Sequence, residues 1–178
     1  MTLWAMDLRL KQAPVIWLAG FMGSGKSTAG KLLAKKLGWS FVDLDAEIER
    51  AAGQPIPEIF EQQGENAFRD LEHQQLLAQI RSSRQGGACV VALGGGAYAA
   101  QRNRDAIEDC GVALWLDPPL PILWARVSGN DKRPLAKDRQ AFEALYDARR
   151  SSYALAPYRI GADTSEAAVA EILELNLL

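Results

Sequence analysis

The sequence predicts an α/β domain in three layers, a parallel sheet with helices on both faces. Two observations carry this. Short runs of strand length alternate with segments of helical pattern along the whole chain, and such alternation buries apolar faces by winding a parallel sheet between helical layers. The first run also leads directly into a glycine-rich loop and then a helix.

Val15 to Ala19 (Val-Ile-Trp-Leu-Ala) is fully apolar, as a strand buried on both faces must be. Ser27 to Leu37 follows with helix formers, apolar residues at Leu32, Leu33, Ala34 and Leu37, and a stop at Gly38. Ser40 to Leu44 is the second strand expected. Cys89 to Leu93 is the third and the most apolar, running into Gly94-Gly95-Gly96. Val112 to Leu116 is the fourth, broken by Asp117-Pro118-Pro119, and Tyr158 to Ala162 is a weaker fifth. Helical patterns occupy Asp45 to Ala52, Ile56 to Gln63, Glu65 to Ser82, Ala99 to Asp109, Pro121 to Ser128, Arg139 to Ala154 and Ser165 to Leu175. Ser128 to Lys137 is the one long irregular loop, polar and set between two helices, where a mobile lid could sit.

Composition narrows the function. A chain of 178 residues suits one domain, read here as 15–178, preceded by an N-terminal extension, 1–14, whose order the sequence leaves open. The net charge is −2 and no stretch gathers five or six Lys/Arg, which argues against nucleic acid as a partner. No apolar run is long enough to span a bilayer, and the first fourteen residues lack the apolar core of a signal peptide. The expected location is the cytoplasm, without a membrane partner. Cys89 and Cys110 are too few and too isolated for a disulfide framework or a zinc site; Cys89, in its apolar run, reads as a reduced core residue.

Gly20-Phe21-Met22-Gly23-Ser24-Gly25-Lys26-Ser27 fits G-x-x-x-x-G-K-[ST] at every fixed position, between a strand and a helix. Glycines let successive N–H groups turn inward on phosphate oxygens, and the helix that starts near Lys26 adds its positive end. Lys26 can reach the β- and γ-phosphates of a nucleoside triphosphate, and the Ser27 hydroxyl can ligate Mg²⁺. Asp43 and Asp45, two apart at the end of the second strand, should project to one side, at the strand ends where open α/β sheets bind ligands. One carboxylate can serve hydrated Mg²⁺ and the other a hydroxyl acceptor; either could instead cap the next helix. Gly94 to Gly96 end the third strand on the same edge, giving either a flexible turn or a place where a ligand meets bare N–H groups. Arg69 and Arg149 suit a carboxylate if they converge, and are surface charges if they do not. Phe60 and Phe68 hint at an apolar wall beside Arg69. His73, on a helix among glutamines, reads as a surface or interface residue.

Taken together, these motifs resemble those of the shikimate kinase family, from about Val15 to Glu171. The residues that carry the likeness are Gly-Phe-Met-Gly-Ser-Gly-Lys-Ser-Thr (20–28), Phe-Val-Asp-Leu-Asp (41–45), Ile-Pro-Glu-Ile-Phe (56–60), Gly-Glu-Asn-Ala-Phe-Arg-Asp-Leu-Glu (64–72), Ala-Leu-Gly-Gly-Gly (92–96) and Arg-Pro-Leu (133–135). The resemblance implies a three-layer αβα P-loop kinase fold with a five-stranded parallel sheet and a lid loop around residues 128–140. It implies ATP-dependent phosphorylation of the 3-hydroxyl of shikimate, with Mg²⁺; a monomer is expected. Gly23, Ser24, Gly25, Lys26, Ser27 and Thr28 would hold the ATP phosphates, Arg126 would stack on adenine, and Arg133 would swing from the lid over the transferring group. Asp45 would orient or deprotonate the attacking hydroxyl, while Arg69, Arg149 and Gly94 to Gly96 would bind the acceptor. Ser27 would ligate Mg²⁺ and Asp43 would reach it through water. The chain departs from the family pattern in the run 150–158, which lacks the usual Pro before Tyr153 and the acidic residue after it. It departs again near Asp163-Thr164-Ser165-Glu166, where a basic residue or Pro is usual. A nucleotide-dependent switch would instead need a guanine-reading Asn-Lys-x-Asp, and Asn130-Asp131-Lys132 has the wrong order.

Overall fold

The computed structural model describes residues 15–128, 138–175 and 177. Strands β1 (Val15–Ala19), β2 (Ser40–Asp43), β3 (Cys89–Ala92), β4 (Val112–Leu116) and β5 (Tyr158–Ile160) form one five-stranded sheet in the order β2-β3-β1-β4-β5. Every pairing is parallel. The central strands β1, β3 and β4 are buried along their full length, which is why they read as continuous apolar runs, while β2 and β5 lie at the edges and are more exposed.

The helices are α1 (Lys26–Leu37), α2 (Leu44–Ala52), α3 (Ile56–Gly86), α4 (Gln101–Glu108), α5 (Leu120–Val127), α6 (Arg139–Tyr153) and α7 (Ser165–Glu174). Alternate strand residues feed two cores. Val15, Trp17, Ala19, Val91, Ala113 and Trp115 face residues of α2, α3 and α6, whereas Ile16, Leu18, Val90, Leu114 and Leu116 face α1 and α7. This is the period-two alternation of a pleated strand with both faces covered. Cys89 and Cys110 are free and buried, and burial pushes both thiols up to about 11.

All five expected strands are present; β2, β3 and β5 end one or two residues early, and the end of β2 is the informative case. β2 stops at Asp43, because Leu44 is fully buried in the first turn of α2. Asp43 therefore closes the strand and Asp45 lies on a helix, so the two do not share a strand face as expected. The helical patterns at 56–63 and 65–82 meet at Gly64, whose φ of 81° and ψ of 174° break the helix; the second half then runs on to Gly86. Between β3 and α4 a single 3₁₀ turn spans Ala97–Ala99. Arg133, most of the lid loop and the N-terminal extension lie outside the described residues.

Strand packing is tightest where Gly111 enters β4: a side chain there would collide with the carbonyl oxygen of Val15 and stand 2.9 Å from Trp17 Nε1. Gly111→Ala should cost about 1–3 kcal/mol, the usual range for overpacking a core. A lowered urea midpoint at unchanged slope would register it; an unchanged midpoint would mean that β1 and β4 can part without loss.

Candidate active site

The loop after β1 is shaped by glycines. Gly23 and Gly25 take φ of 82° and 88°, where L side chains are strained, and a methyl group on Gly20 would stand 2.5 Å from the carbonyl oxygen of Leu116. The loop thus sits directly against the end of β4. Lys26 opens α1 and its ammonium folds back over the loop, donating to the carbonyls of Gly20 (2.8 Å) and Phe21 (2.9 Å) and reaching Ser24 Oγ at 3.4 Å. No acidic residue occupies the first turn of α1, so its positive end is left to an external anion. Thr28 stands exposed in that turn. Arg126, from α5, donates to the carbonyl of Gly23 (3.0 Å) and to that of Asp163. It fastens the loop to the segment before α7, where Thr164 caps the helix by accepting from Ala167 N at 3.1 Å.

Ser27 Oγ donates to Asp43 Oδ2 at 2.6 Å. Asp43 occupies the N-cap position of α2, yet no side chain caps that helix; the carboxylate is turned to the phosphate loop instead. The Ser27 hydroxyl and Asp43 carboxylate form a pair of hard oxygen donors, and among the described residues no cluster of three or more His, Cys, Asp or Glu could hold a metal alone. Such a pair fits Mg²⁺, which takes one or two protein oxygens and fills its shell with phosphate and water.

Gly94 to Gly96 bring the remaining residues together, each glycine facing a different one. A methyl group on Gly94 would collide with Asp45 Oδ1; one on Gly95 would stand 3.4 Å from Arg149 Nη1; one on Gly96 would stand 2.7 and 2.8 Å from Arg69 Nη1 and Nη2. Arg69 and Arg149 therefore converge on one loop, and neither is a stray surface charge. Nor is the loop a flexible turn. Ala97 N bonds to the Gly94 carbonyl at 3.1 Å. Asn103 Nδ2 holds the carbonyl of Ala97 (2.9 Å), Arg104 Nη1 those of Tyr98 (2.8 Å) and Ala99 (2.6 Å), and the Tyr153 hydroxyl donates to that of Gly95. Burial pushes the Tyr153 phenol up to about 12, so it remains a donor at neutral pH.

Glu72 is the site residue that reading the sequence missed. It is 1% exposed and accepts from Arg69 Nη1 on both carboxylate oxygens at 3.1 Å. Burial raises its pKa; Arg69 opposes that rise, Asp45 adds to it and Arg149 reduces it. Asp45, Glu72, Arg69 and Arg149 thus sense one another as a cluster of balanced charge. A signal was available: Phe68, Glu72, Leu76 and Ile80 recur every four residues, and all are buried, so the carboxylate occupies a core position of its helix. The Arg69 guanidinium lies 5.1 Å from the Phe68 ring centre, and Phe60 stacks on Phe68 at 4.5 Å, which supplies the expected apolar wall. His73 is half-buried rather than superficial, with Nδ1 2.7 Å from Asn103 Oδ1; it braces the helix that secures the glycine loop.

This combination can be set beside known proteins. The family model for shikimate kinase matches residues 22–176. A shikimate kinase of Persephonella marina is 44% identical over 149 residues, covering 83% of this chain and 88% of its own. One from Geobacter sulfurreducens is 43% identical over 173 residues, covering 96% and 92%. The solved structure of the shikimate kinase from Acinetobacter baumannii in complex with shikimate superposes with a TM-score of 0.83 at 34% identity, over 96% of this chain and 97% of that one. Sheet order, phosphate loop, glycine loop and near full-length likeness agree: the chain belongs to the shikimate kinase family.

Proposed function

We propose that the chain transfers the γ-phosphoryl group of ATP to the 3-hydroxyl of shikimate, giving shikimate 3-phosphate and ADP on the route to chorismate and the aromatic amino acids. The observation that carries this is the glycine loop, which sets bare backbone against one carboxylate and two guanidiniums, close to a phosphate loop joined to the same region through Ser27 and Asp43. A polyol acid matches that set: hydroxyls for Asp45, a carboxylate for the planar forks of Arg69 and Arg149. The related structure from Acinetobacter, which holds shikimate, supports the choice of acceptor.

The donor phosphates lie in the N–H cradle of Gly23, Ser24, Gly25, Lys26, Ser27 and Thr28, with Arg126 beside the base. Lys26 leaves the carbonyls of Gly20 and Phe21 for phosphate oxygens. Ser27, with Asp43 through water, would hold Mg²⁺, which would supply positive charge against the donor phosphates. Asp45 accepts the hydrogen of the attacking hydroxyl and aims its oxygen. Arg133, which lies outside the described residues, is the cation assigned to the charge on the transferring phosphoryl. Glu72 orients the Arg69 guanidinium beside the glycine loop. The protein forms no covalent intermediate; position and charge do the work. The enzyme acts as a monomer in the cytoplasm.

Lys26→Met and Asp45→Asn should each lower kcat by about 10²-fold or more, the scale for losing a transition-state donor or an acid–base group. A coupled ADP-release assay with MgATP and shikimate checks both, and full activity in either folded variant would remove the mechanism. The same assay with gluconate should show no acceptor-dependent ADP. Arg69→Ala and Gly96→Ala should act on acceptor binding instead, raising KM for shikimate by about ten- to a hundredfold, the equivalent of losing a charged hydrogen bond. An unchanged KM in both would take Arg69 out of the acceptor site.

A further inference from the structure

Helix α6 carries Phe142, Tyr146, Arg149 and Tyr153 at spacings of four, three and four, so all four lie on one face. The two ends of that stripe serve the two halves of the site. Phe142 and Tyr146 pack edge-on against Phe21 of the phosphate loop, with ring centres 5.0 and 5.5 Å apart. Tyr153 is bonded to Gly95 of the glycine loop. Arg149, between them, has its guanidinium beside Gly95. The rotation of α6 about its axis therefore decides where Arg149 points.

Tyr153 holds one end of the stripe through Gly95, but ring contacts fix the Phe142–Tyr146 end poorly, since edge-on aromatic packing tolerates a range of distances and angles. A hydrogen bond to a buried carboxylate is directional and shorter-ranged. One such bond exists. Asp117, just beyond β4, has a side chain 2% exposed. Its Oδ2 accepts from Arg159 Nε at 2.8 Å and pairs with Arg159 Nη2 at 2.7 Å. Its Oδ1 accepts from the Tyr146 hydroxyl at 2.9 Å, and Arg150 of the same helix stands 3.9 Å away. The backbone N–H of Asp117 is itself bonded to the carbonyl of Ile160 at 2.8 Å. Arg159 and the sheet thus hold the carboxylate still, and it in turn holds Tyr146 one helical turn before Arg149.

We propose that Asp117 and Tyr146 are positioning residues for acceptor recognition: their hydrogen bond sets the rotation of α6 and so aims Arg149 at the acceptor carboxylate. The proposal rests on the assignment of Arg149 to the acceptor site made above. It also gives a task to a buried aspartate and a tyrosine that the transfer chemistry leaves unused.

The test is Tyr146→Phe, which removes one hydroxyl and keeps the ring on Phe21, measured alone and combined with Arg149→Ala. The expected result is a rise of about three- to tenfold in KM for shikimate, an order of magnitude at most for one hydrogen bond, with kcat and KM for ATP within about twofold of the parent. In the Arg149→Ala background the same substitution should add nothing, because the group it aims is gone. Asp117→Asn, which keeps an oxygen for Tyr146 but removes the charge that grips Arg159, should shift the same constant in the same direction. An unchanged KM for shikimate in Tyr146→Phe, even with a lower melting temperature, would make the bond purely structural and overturn the proposal. So would an equal rise in the presence and absence of Arg149, or a loss shared equally by kcat and ATP affinity. If Arg149→Ala alone leaves KM for shikimate untouched, the assignment of Arg149 itself falls, a different failure from a silent Tyr146→Phe beside a defective Arg149→Ala.

Discussion

Charged side chains from three helices can meet at one point only because the run Gly94 to Gly96 after β3 brings no side chains of its own. Asp45 comes from α2, Arg69 from α3 and Arg149 from α6, and each touches a different glycine of the run 94–96. A methyl group on Gly94 or Gly96 would displace Asp45 or Arg69, while one on Gly95 would reach ordinary contact with Arg149. The constraint also explains the bracing behind the loop. Glycines lose more freedom on folding than other residues, and here Asn103, Arg104 and Tyr153 each hold a carbonyl of the loop or of the turn that follows it. The site is rigid by its supports, not by its own sequence.

The electrostatics follow from the same crowding. Burying Glu72 raises its pKa, and the guanidiniums of Arg69 and Arg149 are what keep its charged form tolerable. Arg69 is in turn shared between Glu72 inside and Glu65 outside. A guanidinium partly neutralised from behind can face an incoming carboxylate without being locked to a fixed partner in front. The phosphate loop solves the opposite problem, concentrating positive charge with no acid in the first turn of α1.

Much of this was legible in the sequence, and the remainder was not for identifiable reasons. Strands buried on both faces announce themselves as unbroken apolar runs, so β1, β3 and β4 were found nearly to the residue. The phosphate loop was legible because glycine at fixed intervals before Lys-Ser has few other uses. Convergence of Arg69 and Arg149 was not, since two arginines eighty residues apart carry no mark of proximity. Their helical registers did hold a clue: Arg149 falls on the stripe of Phe142, Tyr146 and Tyr153, and Glu72 on that of Phe68, Leu76 and Ile80, so polar groups stood where apolar ones were due. The shared strand face assumed for Asp43 and Asp45 failed because a buried leucine between them starts a helix one residue early. Its consequence is benign: Asp43 turns to Ser27 and Asp45 to Gly94, which separates their tasks more cleanly than a common face would.

The ammonium of Lys26, folded onto the carbonyls of Gly20 and Phe21, changes how selectivity at the loop should be understood. An arriving ligand does not meet a vacant cation; it must outbid oxygens already in place, the carbonyls of Gly20 and Phe21 among them. Charged oxygens bind an ammonium more strongly than neutral ones, so a phosphate competes for the lysine better than an uncharged group does. A nucleoside without phosphates offers no such oxygen, so what the loop selects is the ionic valence of its guest rather than the shape of a base.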